Sequence, residues 1–206
     1  MAEQNEDGAG GEARAREREP AAGATALLVI DMLNTLDFAE GEAMLPHAEA
    51  AADAIARLRG EAEAAGAPVV YVNDNYDHWH SERSRLVELA LDGRGRPLAE
   101  RLEPRPDDYF VIKPQFSGFY ATNLPVLLPQ LGARRLILTG VAADICVLFT
   151  AADAHMRDYD LWVPADCVAL GDPRRRDWAL EIMRGSMGAD TRPSTEASLS
   201  DWLAAA

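Results

Sequence analysis

Short apolar runs alternate along this chain with longer segments whose apolar residues recur at helical spacing. Ala26–Ile30 and Pro68–Asn73 are runs of strand length, and His47–Ala65 between them carries Ile55 and Leu58 at helical spacing among many alanines. The same pattern predicts strands over Tyr109–Ile112, Arg135–Thr139 and Asp160–Pro164, and a last short one near Ala189–Arg192. It predicts helices over Ser84–Leu91, Leu124–Leu131, Asp144–Arg157 and Arg174–Met187, and another from Glu196. Pro125 and Pro129 weaken the helical signal of Leu124–Leu131, because a proline inside a helix removes a donor. Apolar strands separated by helices predict an α/β fold built on a parallel sheet covered on both faces. Met1–Gly23 has no apolar periodicity and reads as a disordered tail, leaving 24–206 as one domain.

Composition narrows the classes of partner. A formal net charge of -14 argues against a nucleic-acid or anionic-membrane partner. No apolar run is long enough to span a bilayer, and the acid- and Arg-rich stretch Met1–Pro20 has no signal-peptide core. Two cysteines, Cys146 and Cys167, make no disulfide framework, so a reducing, cytoplasmic setting is expected.

In an open parallel sheet, ligands bind beyond the carboxyl ends of the strands. The first strand ends in Asp31, the second in Asn73-Asp74-Asn75 and the third in Lys113. The fourth runs through Gly140-Val141-Ala142-Ala143-Asp144-Ile145 to Cys146, and Asp166 follows the fifth. Acids, an amine and a thiol are thus expected at one rim. Lys113 stands out because it is the one lysine among 20 Lys+Arg residues. A compact ammonium fits a tight site that a wide guanidinium does not. A free cysteine is commonly just a small buried apolar residue. Cys146, however, falls in the first turn of a predicted helix, where free N–H groups favour a thiolate, and after a glycine-containing turn. Cys167 has no comparable helix start and reads as structural.

Three stretches resemble the isochorismatase-like cysteine hydrolases, the family that includes nicotinamidases and N-carbamoylsarcosine amidases. They are Leu28-Val29-Ile30-Asp31-Met32; Lys113-Pro114 with Phe116-Ser117-Gly118-Phe119; and Thr139-Gly140-Val141-Ala142-Ala143-Asp144-Ile145-Cys146-Val147. The resemblance implies a Rossmann-like αβα sandwich with a six-stranded, mostly parallel sheet. It also implies an Asp–Lys–Cys triad, with Cys146 as nucleophile, Asp31 as general base and Lys113 as the cation that lowers the thiol pKa. It further implies a cis peptide at Val141–Ala142, turning the Ala142 N–H, with that of Cys146, toward an oxyanion. No cofactor is implied, and the family's members are often homo-oligomers.

The chain departs from the family pattern after the first strand. Where Gln-Asn-Asp-Phe is usual, it reads Leu33-Asn34-Thr35-Leu36, with Asp37-Phe38 later. The metal-binding Asp-x-His of nicotinamidases is replaced by Asn73-Asp74-Asn75-Tyr76-Asp77-His78-Trp79-His80, so no metal is expected, although His78 and His80 share a face in extended chain. Retention of Cys146 points to hydrolysis of a C–N bond in a small amide, carbamoyl or lactam compound. The alternatives are an isochorismatase-type vinyl-ether hydrolase and a non-catalytic binding member of the fold. Phe38, Asn75, Trp79, Phe119 and Tyr120 are the candidate substrate contacts, with Tyr76 and Phe116 also placed to wall a pocket. Asp37, Asp74 and Asp77 would favour a cationic group on the substrate.

Overall fold

The computed structural model describes residues 24–77 and 79–204. The segment read as a disordered tail and His78 lie outside the described residues. Five strands form one sheet: β1 (Ala24–Ile30), β2 (Val69–Asp74), β3 (Tyr109–Lys113), β4 (Ala133–Gly140) and β5 (Asp160–Trp162). Their order is β3-β2-β1-β4-β5, and every pairing is parallel. Residues Ala26–Ile30 of β1 and Val69–Asn73 of β2 are buried throughout, as strands covered on both faces must be.

The helices are α1 (Gly41–Ala64), α2 (Arg83–Asp92), α3 (Arg96–Arg101), α4 (Leu124–Gln130), α5 (Leu148–His155), α6 (Pro173–Met187) and α7 (Leu199–Ala204). α1 buries Met44, Ala48, Ala51, Ala52, Ile55, Leu58 and Ala62, a stripe repeating every three to four residues. Its alanines let the helix axis approach the sheet, and burial of Ile55 or Leu58 is worth about 1.5–3 kcal/mol each. The helix begins earlier than the expected His47, because Pro46 sits near its start and forfeits one ladder bond without ending it. α6 starts at a true cap, where the Asp172 carboxylate accepts the N–H groups of Arg174 and Arg175. It ends at Gly188, whose φ of 65° is left-handed.

Six strands were expected and five are found among the described residues. Near Ala189–Arg192 the chain makes only one bridge, Trp162 to Asp190, with hydrogen bonds from Val163 N–H to Asp190 and from Asp190 N–H to Leu161. The Asp190 side chain then accepts the Arg192 N–H, and Pro193 has no N–H to extend a ladder. The helix expected over Asp144–Arg157 is also modified, beginning as a five-residue π-helical turn, Ala143–Val147, before α5. α3 lies in a segment for which no element was expected, and Pro97 occupies its first turn.

The strand order reverses between β1 and β4, the topological switch point where open α/β sheets bind ligands. Gly140 closes β4 there with φ 116°, and a Cβ on it would lie 1.9 Å from the Ile30 carbonyl oxygen. Only glycine lets the end of β4 lie so close to β1.

Candidate active site

Lys113 is the last residue of β3 and stands in register with Asp74, the last of β2. Its side chain is fully buried. The ammonium lies 2.9 Å from Asp31 Oδ2, 3.1 Å from Asp74 Oδ2 and 3.5 Å from Cys146 Sγ. An ammonium has three protons and no acceptor, so this set of partners saturates it. Asp31 follows β1 in a left-handed conformation, φ 52°, with its N–H donating to Val72. Its Oδ1 accepts the Asp74 N–H at 2.7 Å. Asp31, Asp74, Lys113 and Cys146 therefore meet at the carboxyl edge of four adjacent strands.

Burial lifts the Asp31 carboxyl above the ordinary carboxylate range, against the pull of Lys113. Burial also works against the charge on Lys113, but Asp31, Cys146 and Asp74 together hold it above the ordinary ammonium range. The thiol runs opposite to the expectation from sequence. Lys113 pulls its pKa down, but burial and then the Asp31 charge outweigh that pull, and the result is well above an ordinary thiol. Cys146 also lies in the π-helical turn rather than at a regular helix start. Burial thus favours the neutral form of both the Asp31 carboxyl and the Cys146 thiol, while Lys113 favours the charged form of each.

The Val141–Ala142 peptide is cis. The Val141 N–H donates to Ile30, and the Ala142 carbonyl accepts from Ile145 and Val147. The Ala142 N–H has no acceptor among the described residues.

The expected substrate contacts divide. Phe38, Trp79 and Tyr120 are exposed on rim loops, as is Phe116, whose ring pairs with Phe149 of α5 at 5.6 Å. Trp79, with Asp77, His80, Ser81 and Arg85, lines a shallow surface cavity. Phe119 and Asn75 are turned to structure instead. Phe119 is 3% exposed, packs on Tyr159 and lies under the Arg157 guanidinium. The Asn75 side chain accepts the Asp77 N–H, fixing the loop after β2. His80 is exposed, and no metal-holding group of His, Cys, Asp or Glu exists among the described residues.

Three residues near the site have roles that the sequence reading did not assign. Asp74, expected at the rim as an acid facing a cationic substrate, instead holds Lys113. Asn73, 1% exposed, exchanges two hydrogen bonds with the Leu33 backbone, each 3.1 Å. The Tyr76 hydroxyl donates to the Leu33 carbonyl at 2.6 Å. Both tie the segment after Asp31 to the end of β2. Asp74 was findable, since the closing residues of two adjacent parallel strands are neighbours.

A family model described as the isochorismatase domain matches residues 25–196. An uncharacterized isochorismatase family protein of Bacillus subtilis, YaaI, is 36% identical over 165 residues, covering 80% of this chain and 91% of the relative. The ureidoacrylate amidohydrolase RutB of Methylorubrum extorquens is 32% identical over 195 residues, covering 81% of this chain and 79% of RutB. Among solved structures, N-carbamoylsarcosine amidase from Thermoplasma acidophilum superposes with a TM-score of 0.64 at 31% identity, covering 85% of this chain and 99% of that one. The chain belongs to the isochorismatase family of hydrolases.

Proposed function

We propose that this isochorismatase-family hydrolase cleaves a C–N bond of a small molecule, in an amide, carbamoyl or lactam group, through an acyl-enzyme on Cys146. The observation that carries the reading is the meeting of the Cys146 thiol and the Asp31 carboxylate on one buried ammonium. Two of the similar proteins, named as an amidohydrolase and an amidase, support the choice of bond.

In this reading the thiol waits protonated, because burial and Asp31 disfavour a resting thiolate. Asp31, made a stronger base by burial, takes the thiol proton as the sulfur attacks the carbonyl carbon. The C–O π electrons move onto oxygen, and the Ala142 and Cys146 N–H groups stabilise that oxyanion. The protonated Asp31 hands its proton to the leaving nitrogen as the C–N bond breaks. Water, deprotonated by the same carboxylate, then attacks the thioester, and the sulfur leaves with the proton from Asp31. Lys113 remains protonated throughout and keeps Asp31 and the sulfur in register. The exposed aromatic side chains of the rim, Phe38, Trp79 and Tyr120, are the proposed substrate contacts.

The test is a panel of small amides, ureas and lactams assayed for release of ammonia or amine, with Cys146→Ala as control. Release by the wild type that disappears in a folded Cys146→Ala variant is the expected result. Release that persists in the variant sinks the acyl-enzyme. Consumption of isochorismate that survives the substitution would move the protein to the vinyl-ether class.

A further inference from the structure

The Asp–Lys–Cys reading leaves one of the four converging groups without a role. Asp74 is placed to act. Its Oδ2 takes one proton of the Lys113 ammonium at 3.1 Å, its Oδ1 accepts the Tyr76 N–H at 2.8 Å, and its own N–H donates to Asp31 Oδ1. Asp31, Asp74 and Lys113 thus form a closed ring of hydrogen bonds, which the thiol meets through the third ammonium proton and through Asp31. The ring sets two carboxylates against one ammonium. The Asp74 side chain is 28% exposed, against 0% for Lys113 and 5% for Asp31, so it is the member of the ring that faces solvent.

We propose that Asp74 is a positioning residue that acts through Lys113. It fixes the direction of the ammonium and offsets part of its positive charge, so that Cys146 is held as a thiol until substrate arrives. The inference rests on the triad reading above and adds a fourth member to it. Without Asp74, the full charge of Lys113 would fall on Asp31 and the sulfur, and the thiolate would form at lower pH. The same carboxylate adds, after burial, to the rise of the Asp31 pKa, so its removal would weaken the base while sharpening the nucleophile. The charged or titratable groups facing this cluster are Asp31 after β1, Asp74 and Tyr76 from the end of β2, Lys113 of β3 and Cys146 after β4. Asp144, two residues before Cys146, is turned to Arg175 of α6 instead.

The experiment needs no substrate. The rate of alkylation of Cys146 by iodoacetamide is measured from mildly acid to alkaline pH in the full chain, with the labelled peptide identified by mass; Cys167 is fully buried. In Asp74→Asn the midpoint should fall by about one pH unit, with reactivity at mildly acid pH rising by about tenfold. Asp74→Ser, which also keeps an oxygen for the Tyr76 N–H, should shift the same way, and Asp74→Glu should restore the wild-type midpoint. Folded variants that titrate with the wild-type midpoint, or with a higher one, would overturn the proposal and leave Asp74 as a loop-shaping residue. An absence of amide turnover in every variant would bear on the hydrolase reading alone, because the alkylation profile reports the thiol and its neighbours directly.

Discussion

Two buried cations of this molecule have opposite surroundings. Arg59 of α1 is 7% exposed and, among the described residues, hydrogen-bonds to neutral dipoles, the Tyr71 hydroxyl and the Glu103 carbonyl. Lys113 is fully buried and meets two carboxylates and a thiol. Arg59 ties α1 to β2 and to the segment after α3, and nothing in its contacts changes charge near neutral pH. Every partner of Lys113 is titratable, so its surroundings can trade protons. A guanidinium is always charged and suits the first task, while an ammonium fits the second. Burial alone does not distinguish a scaffold cation from a reactive one; the chemistry of the partners does.

The largest expected effect is at the reactive cluster. Cys146→Ala should lower turnover by on the order of 10⁴-fold or more, as loss of a covalent nucleophile does, while the thermal midpoint barely moves. A thermal melt beside the amide assay checks both halves. Lys113→Met should cost activity and stability together. It strands two carboxylates around an apolar side chain, and breaking a buried pair costs about 3–5 kcal/mol. A Lys113→Met protein as stable as wild type would erase the contrast between the two cations.

Arg59→Met should show the other half of the contrast. Leaving the Tyr71 hydroxyl and the Glu103 carbonyl without their partner costs about 1–3 kcal/mol, with kcat/KM unchanged. A large loss of activity there would mean that the two regions are coupled. The smallest effect is a pH dependence. Burial, opposed by Arg59, pushes the Tyr71 hydroxyl from 10.0 up to about 12. Between those values the folded chain keeps a proton that the unfolded chain releases, so stability falls as pH rises through that window. Thermal melts across it should show a smaller fall in Tyr71→Phe than in wild type.

The strands of the sheet were legible because a covered parallel sheet needs uninterrupted apolar runs, and Leu27–Ile30, Val69–Val72 and Leu136–Leu138 supply them. The convergence of Asp31, Lys113 and Cys146 was legible because each lies at or beyond the carboxyl end of a strand. What escaped depended on relations between segments. The Asp74–Lys113 contact comes from the register of β2 on β3, and the Asn73–Leu33 pair from a loop folding back on a neighbouring strand. The π-helical turn that carries Cys146 leaves no mark in a 3.6-residue period. Phe119 and Asn75 were assigned to substrate by residue type and position, while the structure gives them packing and turn duties.

The saturation of Lys113 has a practical consequence. It is the one lysine of the chain, it is inaccessible, and its nitrogen has no free lone pair while protonated. Amine-directed dyes and cross-linkers therefore have no side-chain target on the folded protein. When the chain opens, that single side-chain amine becomes available at one known address, distinct from the α-amine. The rate at which it is acylated is then a clock for global opening, readable from the mass of the Lys113 peptide without any engineered label.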